Sequence, residues 1–525
     1  MIKRQNRVAM ATLLLFLILF ISTGSVLAAM PSFGSGEGVY LLDPDTGDAF
    51  AKQNEDSRYN PASTTKLMTA LVAMDYINNR LSEGVTVGEE ITQIDADSSV
   101  ADLAVGDTYT WEQLLYGLLL PSGNDAAMTI AVNIGRLAQN DPALETNAAL
   151  DVFVGLMNKK AGDLGLTKTH FANPHGLVDA NHYTTPKEMA QIAGAAFGVS
   201  TINTVASTPS YTCVSGNGQA HEWENSNILI HQTVSEISSS QVAAMNLTGT
   251  ENPYYNPNAK GGKTGYDEAA GRCLVFSGQS GEMHLVGVIF KASDQRGIYS
   301  QADGALDTAL KDYSHILWSD GQSPYVKTMV SFASILDGFS ISASTKGEAA
   351  STVLTTAKDS YSVQVKWDSS LLSEKGNHVR ILAPITEGQQ IGTLDVYSGS
   401  TYIKGIPLYT DRAMSPLGWV DYLIMGGVLL LVVLLIVVLV RHRRKKWNQA
   451  VYNMRRAEAG YHFEGIKEAE MEAPKEPPVE DEGLAPLPKS FLDMEAAESE
   501  GRPSMPLRAR LGGKTRYRLK RIRRK

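Results

Sequence analysis

Apolar and polar positions alternate between two regimes along this chain. Gly38-Val39-Tyr40-Leu41-Leu42-Asp43 predicts a strand, Pro44-Asp45-Thr46-Gly47 a turn, and Ala49 to Gln53 a second strand paired back onto the first. After Pro61, which suits a helix start, Leu67, Met68, Leu71, Val72 and Met74 recur at helical spacing. Helical patterns continue through Trp111–Leu120, Ala126–Leu137 and Ala149–Leu164. From Tyr211 the pattern turns strand-like. Leu274–Ser277 and Leu285–Phe290 predict strands, and Ala302–Tyr313 a closing helix. Strands first, helices in the middle and strands last predict one α+β domain whose sheet is drawn from both ends of the segment.

A Gly/Ser/Pro linker follows at Trp318–Pro324. Beyond it Tyr361, Val363, Val365 and Trp367, then Leu394 and Val396, alternate with polar residues, which predicts a small β-rich domain. Leu423 to Val440 is a different object: 18 uncharged residues, nearly all Leu, Val and Ile, flanked by Trp419 and Tyr422. That length and those interfacial aromatics predict a membrane-spanning helix. Arg441-His442-Arg443-Arg444-Lys445-Lys446 follows at once and predicts a cytoplasmic C-terminus. At the other end, Lys3, Arg4 and Arg7 precede a short apolar run, Val8 to Ile21, and Val26-Leu27-Ala28, the pattern of a secretory signal peptide. The expected organisation is therefore a signal peptide over 1–28, a first domain over 29–320, a β-rich domain over 325–412, a transmembrane helix over 419–440 and a low-complexity tail over 441–525.

Charge sharpens this picture. The chain has 525 residues and a net charge of −9. Residues 29–422 carry 23 Lys+Arg against 43 Asp+Glu, a net of −20, whereas residues 441–525 carry 21 against 13, a net of +8. A body this acidic repels nucleic acid. The tail is acidic and Pro-containing up to residue 500 and holds ten Lys or Arg over 508–525, a patch suited to anionic lipid. Only 2 Cys are present, Cys213 and Cys273, with no Cys/His cluster at zinc-site spacing. Both lie in strand-like segments on the outer side, where a disulfide could form.

Three short motifs carry chemistry. Pro61-Ala62-Ser63-Thr64-Thr65-Lys66 sets a Ser and a Lys one turn apart at a helix start. A Ser hydroxyl needs a base, and a desolvated Lys can be one because burial favours its neutral form. The helix start also offers N–H groups where an oxyanion would develop. Pro121-Ser122-Gly123-Asn124 supplies a hydroxyl that can relay a proton and an amide that can hold a carbonyl. Ser215-Gly216-Asn217 repeats that tripeptide, but Gly218 and its strand-like flanks mark it as a hairpin turn. Lys263-Thr264-Gly265, after Gly261-Gly262, puts a cation and a hydroxyl on a strand edge, with a Gly that lets a ligand lie against the backbone.

In this order, in an exported and anchored chain, the motifs resemble those of the penicillin-binding proteins, and specifically the low-molecular-mass D-alanyl-D-alanine carboxypeptidases of peptidase family S11. The likeness extends to Asp43-Pro44-Asp45-Thr46-Gly47, to Leu164-Gly165-Leu166-Thr167-Lys168-Thr169-His170-Phe171 and to Pro174-His175-Gly176-Leu177. It covers about residues 37–410. It implies a penicillin-binding/β-lactamase-like transpeptidase domain, followed by a β-rich domain and one membrane helix. It implies Ser63 as acylated nucleophile, Lys66 as general base, Ser122 as a further catalytic residue, and Asn124, Lys263, Thr264 and Gly265 as substrate contacts. The Ser63 and Tyr266 N–H groups would form the oxyanion hole. No metal or cofactor is required. The implied partners are the peptidoglycan stem peptide, β-lactam antibiotics and the membrane, with the catalytic domain outside the cell.

The chain departs from the family at one point. Where an Arg usually follows the strand after the Lys-Thr-Gly motif, this chain reads Lys291-Ala292-Ser293-Asp294-Gln295-Arg296, with Ser293 at the Arg position and Lys291 and Arg296 as candidate substitutes. The segment from Ile230 to Lys263 is also long. His175 is read as a cleft-shaping residue, since Ser-x-x-Lys already contains a base. Three other activities compete: a β-lactamase, disfavoured by Ser-Gly-Asn and the lack of an evident deacylating Glu; a D,D-endopeptidase; and a non-catalytic cell-wall or β-lactam receptor, which need not keep a nucleophile and its base.

Overall fold

The structure is a computed structural model that describes residues 30–374 and 379–469. The signal peptide expected over 1–28 and the acidic and basic tail from 470 onward lie outside the described residues.

Side-chain alternation in strand β1 (Gly38–Leu42) sends Tyr40 and Leu42 into one apolar core and Val39 and Leu41 into another. A strand buried on both faces needs cover on both sides. β1 hairpins onto β2 (Ala49–Gln53) through the predicted turn. The other strands come from far along the chain: β3 (Ala259–Asp267), β4 (Gly271–Ser280) and β5 (Met283–Ala292). The sheet order is β2-β1-β5-β4-β3, antiparallel throughout, with Tyr40 opposite Val288. β3, the strand with the Lys-Thr-Gly motif, is therefore an edge.

The helices between β2 and β3 are α1 (Lys66–Ile77), α2 (Trp111–Leu119), α3 (Asn124–Gln139), α4 (Thr146–Asp163), α5 (Pro186–Phe197), α6 (Ser200–Ala206) and α7 (Ser239–Met245). Leu67, Leu71, Leu115, Ile130, Phe153 and Ile192 pack with Val275, Val288 and Phe290 in the larger core. On the opposite face α8 (Gln295–Asp312) lays Ile298, Tyr299, Ala302 and Leu306 against Leu274, Phe276 and Ile289. The pattern predicts α1 to α4 and α8 but not the short α6 and α7, nor α5. Its start is nevertheless written in the chain: Thr185 accepts from the Glu188 N–H and Pro186 occupies the first turn.

α8 runs directly into strand β6 (Tyr313–Ser319), which pairs with Ala349–Leu354. The predicted linker at 318–324 thus begins inside a strand. A seven-stranded sheet follows, closing over Val330, Ile341, Ile381, Ile391, Leu394 and Leu408. The first hairpin is tied to this β-rich part by polar groups. Buried Asp43 lies 2.6 Å from His315 Nε2 and accepts from Thr352 Oγ1 at 2.6 Å, and Lys404 Nζ donates to both Asp48 oxygens at 2.7 and 2.8 Å.

The C-terminal helix α9 spans Trp419–Ala469 and includes a stretch long and apolar enough to cross a membrane. It continues well past the predicted end at residue 440. Residues 447–469 hold four Ala and three Glu, and the first Pro comes at Pro474, so no Pro stops helix propagation at the basic cluster.

Candidate active site

The site begins at a backbone break. Pro61 and Ala62 lead into a 3₁₀ turn, Ala62–Thr65, which continues into α1. Ala62 has φ 47, a left-handed conformation that costs a non-Gly residue about 1–3 kcal/mol. Its N–H donates to Asn60 Oδ1 at 2.9 Å, and Thr64 Oγ1 donates to Pro61 O at 2.7 Å, which fix the turn. Two glycines let neighbouring chain lie against it. A Cβ on Gly265 would sit 3.1 Å from Ser63 N and from Pro61 O, and one on Gly176 would overlap the Ala62 carbonyl oxygen. β3 and the loop after α4 therefore both close on the Ser63 turn because neither carries a side chain there.

Lys66 is fully buried one turn along from Ser63. Its Nζ lies 3.1 Å from Ser63 Oγ, 2.6 Å from Asn124 Oδ1 and 3.0 Å from the His175 carbonyl oxygen. The last two can only accept. A neutral amine would give them its two hydrogens and turn its lone pair toward the Ser63 hydroxyl. Burial, and secondly the charge on Lys263, hold the Lys66 pKa well below the usual lysine range, while Asp125 opposes them.

Asn124 is delivered by the first turn of α3. Asp125 beside it accepts from the Ala101, Leu103 and Ala126 N–H groups, and the Asn124 N–H donates to Ser99 O at 2.8 Å. Ser122, at the α2–α3 junction, has φ 66, and its buried Oγ has no protein partner. Buried hydroxyls are rarely left so. Lys263 is also fully buried. Its Nζ donates to Thr264 O at 2.9 Å, and burial brings its pKa down to about 7. Thr264 Oγ1 lies 2.7 Å from Ser226 Oγ, and Ser226 O accepts from Gln241 Nε2 and Tyr299 OH.

Ser63, Lys66 and Asn124 are thus in direct contact, Ser122 adjoins Asn124, and Lys263 is close enough to act on Lys66. Gly265 meets the Ser63 backbone and Tyr266 follows it. His175 contributes its carbonyl. Its ring Nδ1 accepts from the Leu177 N–H at 3.2 Å, and burial holds its pKa down at about 3, so it is neutral. The repeated tripeptide at Ser215 forms the turn of a separate hairpin, Ser210–Val214 with Ala220–Glu224. Cys213 in that hairpin and Cys273 on β4 are both free and buried.

Two functional neighbours were not anticipated. His182 accepts the Ala172 N–H at Nδ1, which puts its proton on Nε2 and makes it a donor to Thr65 Oγ1 at 2.8 Å. It braces the turn between Ser63 and Lys66. Arg272 on β4 pairs in register with Tyr266, as Leu274 does with Thr264, so Arg272 shares the Thr264 face of the sheet. Its guanidinium carbon is 4.1 Å from the Tyr266 ring centroid, and its charge reaches Tyr299, the hydroxyl that holds Ser226. Ser293 and Lys291 are exposed, and Arg296 donates Nε to Met245 O at 2.7 Å on α7.

Comparison with known proteins agrees with this arrangement. The D-alanyl-D-alanine carboxypeptidase family of peptidase S11 matches residues 28–294, and the C-terminal domain of penicillin-binding protein 5 matches residues 339–415. A D-alanyl-D-alanine carboxypeptidase of Streptomyces sp. strain K15 is 32% identical over 263 residues, 49% of this chain and 80% of the relative. The carboxypeptidase DacF of Bacillus subtilis is 27% identical over 398 residues, 73% of this chain and 87% of the relative. Penicillin-binding protein 5 from Haemophilus influenzae shares the fold with a TM-score of 0.59 at 21% identity, over 74% of this chain and 99% of that one. With both parts of the chain matched in sequence order, and the motif residues converging on one turn, this protein belongs to the D-alanyl-D-alanine carboxypeptidase family.

Proposed function

We propose that the protein removes the terminal D-alanine from peptidoglycan stem pentapeptides through an acyl-enzyme on Ser63. The observation that carries this reading is the environment of Lys66: an amine stripped of water, with two fixed acceptors for its hydrogens and a serine hydroxyl at the remaining position. Ser63 Oγ attacks the penultimate D-Ala carbonyl as its proton passes to Lys66 Nζ. The Ser63 and Tyr266 N–H groups face the developing oxyanion. The C–N bond then breaks, and the proton reaches the leaving amine through Ser122, whose hydroxyl is otherwise unengaged. Water next attacks the ester, the C–Oγ bond breaks, and the proton returns to Ser63.

The substrate backbone lies along the open edge of β3, where an extended peptide can pair. Asn124 and Gly265 border it, and its terminal carboxylate is held by Lys263, Thr264 and Arg272. A β-lactam enters the same way and stays attached. The chain is anchored by its C-terminal apolar helix. The basic cluster at 441–446 supports an outside catalytic body and an inside tail. We take 29–320 as the catalytic domain and 325–412 as the β-rich domain, with 419–440 as the span.

The test is release of free D-alanine from diacetyl-Lys-D-Ala-D-Ala by the purified full chain, measured beside β-lactam ring opening. D-Alanine release with slow ring opening, and penicilloyl mass on the Ser63 peptide, is expected. Fast ring opening without D-alanine would mean a β-lactamase, and cleavage only of cross-linked dimers an endopeptidase.

A further inference from the structure

The turn between strands Val326–Ser331 and Ser340–Ser344 in the β-rich domain is unusual on two counts. It carries large apolar side chains pointing into open space: Phe332 is 65% exposed, Leu336 72% and Phe339 55%, with Met329 at 57% just before it. Scattered single residues of this kind need no explanation, but a cluster on one turn does. Phe332 also has φ 59, a left-handed conformation that is a genuine outlier for a bulky residue. Strain of this kind persists only where surrounding contacts over-determine it.

Those contacts are with the start of the membrane helix. Phe332 O accepts from the Leu417 N–H at 2.8 Å, Ala333 bridges to Pro416, and the Ser334 N–H donates to Ser415 O at 2.9 Å. The Asp421 carboxylate completes the joint. It is 2% exposed, and it accepts from Ser334 Oγ at 2.9 Å, from the Ile335 N–H at 2.7 Å and from the Gly418 N–H at 2.7 Å. Asp421 lies two residues before the apolar run begins at Leu423, a rise of about 3 Å along a helix. Trp419 and Tyr422 beside it are 75% and 62% exposed, and both are side chains that settle at the headgroup level.

We propose that this turn is a second membrane contact: Phe332, Leu336 and Phe339 enter the headgroup region of the outer leaflet, beside the point where α9 enters the bilayer. Continuity with the anchor commits the patch to lipid, because a turn bonded to Ser415 and Leu417 just before the helix and to Asp421 in its first turn cannot leave the bilayer surface while the helix spans it. The apolar cluster is then a foot on which the β-rich domain stands. Asp421, a charge at the bilayer edge, is tolerated there because the turn supplies two donors to one of its oxygens and the Gly418 N–H supplies one to the other. This rests on the reading of α9 as a membrane anchor.

The test uses the full chain in phosphatidylcholine nanodiscs, with an environment-sensitive fluorophore on a single introduced cysteine. Cys213 and Cys273 are buried and stay unlabelled in the folded protein. Phe332→Cys and Leu336→Cys labels should emit to the blue and be quenched at least twofold by lipid carrying a shallow nitroxide. A label at Ser370→Cys, an exposed site elsewhere in the domain, should be neither shifted nor quenched. Leu430→Cys, quenched by a deep nitroxide, checks the anchor itself, so failure of the anchor is separated from failure of the foot. With Leu430 quenched, water-like emission at both 332 and 336 overturns the proposal. So does a blue shift that vanishes in discs holding one molecule each, which would identify a second copy as the occupant. Asp421→Ala should release the turn and remove the quenching at 336 while D-alanine release from the soluble tripeptide is unchanged.

Discussion

Replacing Asn124 by Asp tests whether Lys66 works as a neutral base. The amide oxygen lies 2.6 Å from Lys66 Nζ in a fully buried setting. A carboxylate there would add a full negative charge at nearly constant shape. At an effective dielectric of about 20, Coulomb's law gives about 6 kcal/mol at that distance, equivalent to roughly four pKa units. That attraction opposes the burial that favours the neutral amine and raises the protonated fraction at neutral pH. A protonated amine cannot take the Ser63 proton, so acylation by a fluorescent penicillin should slow by about a hundredfold or more. Asn124→Ala separates charge from lost contact, since deleting the acceptor costs about 1–3 kcal/mol and adds no charge. Stopped-flow acylation rates of the two variants would be compared from pH 5.5 to 10. Asn124→Asp should be the slower at neutral pH, and the gap should narrow as pH rises and the lysine discharges. Equal rates and parallel pH profiles would refute the assignment of Lys66 as the base.

Three further outcomes follow from the same geometry. Lys263 is fully buried with its pKa brought down to about 7, against about 10.5 when unfolded, so the unfolded chain binds more protons between those values and burial destabilises the fold by about 4 kcal/mol at pH 7. Lys263→Met should therefore raise the thermal midpoint by several degrees at pH 7 while lowering activity, and the gain should shrink towards pH 10; calorimetry that shows no gain would mean the charge is compensated. Arg272→Ala should cut kcat/KM for a tripeptide with a free carboxylate by about tenfold to a hundredfold, the range of a charge-assisted hydrogen bond, and Arg296→Ala should not; steady-state kinetics giving the reverse order would move the carboxylate site to α8.

The parts of this molecule that could be read in advance are those in which local pattern and tertiary demand agree. The 38–53 hairpin, the start of α1 and the strands at 274 and 285 satisfy both. Ser63 and Lys66 meet on one turn, as their spacing predicts. What was hidden depends on register and burial. The family pattern points to a carboxylate-binding cation just after β5, at 291–296, whereas pairing across β3 and β4 puts Arg272 on the Thr264 face. No spacing rule reveals that Lys66 would have two carbonyl acceptors, one from α3 and one from the His175 backbone. His182 escaped notice because a buried histidine bracing a turn has no motif. The length of α9 is hidden because its second half is polar, and polarity alone does not distinguish a solvated helix from a tail without structure.

The sheet order has a consequence for how the protein is made. Strand β1 ends at Leu42, yet its neighbour β5, the central strand, begins at Met283, so joining them closes a loop of about 240 residues. Closing a loop that long costs roughly 5 kcal/mol of chain entropy, to be recovered only when the strands meet. A chain synthesised from its N-terminus can build its helices as they emerge, but not its sheet. The Ser63 turn, which needs Gly265 against its backbone, stays unformed for the same interval. Catalytic competence thus arrives late in synthesis, after residue 292 has emerged and about 130 residues before the apolar run of α9 begins. The chain has no nascent stage with a working serine and an unfinished cleft, and substitutions that delay β5 would be felt as failures of folding before they were felt as failures of chemistry.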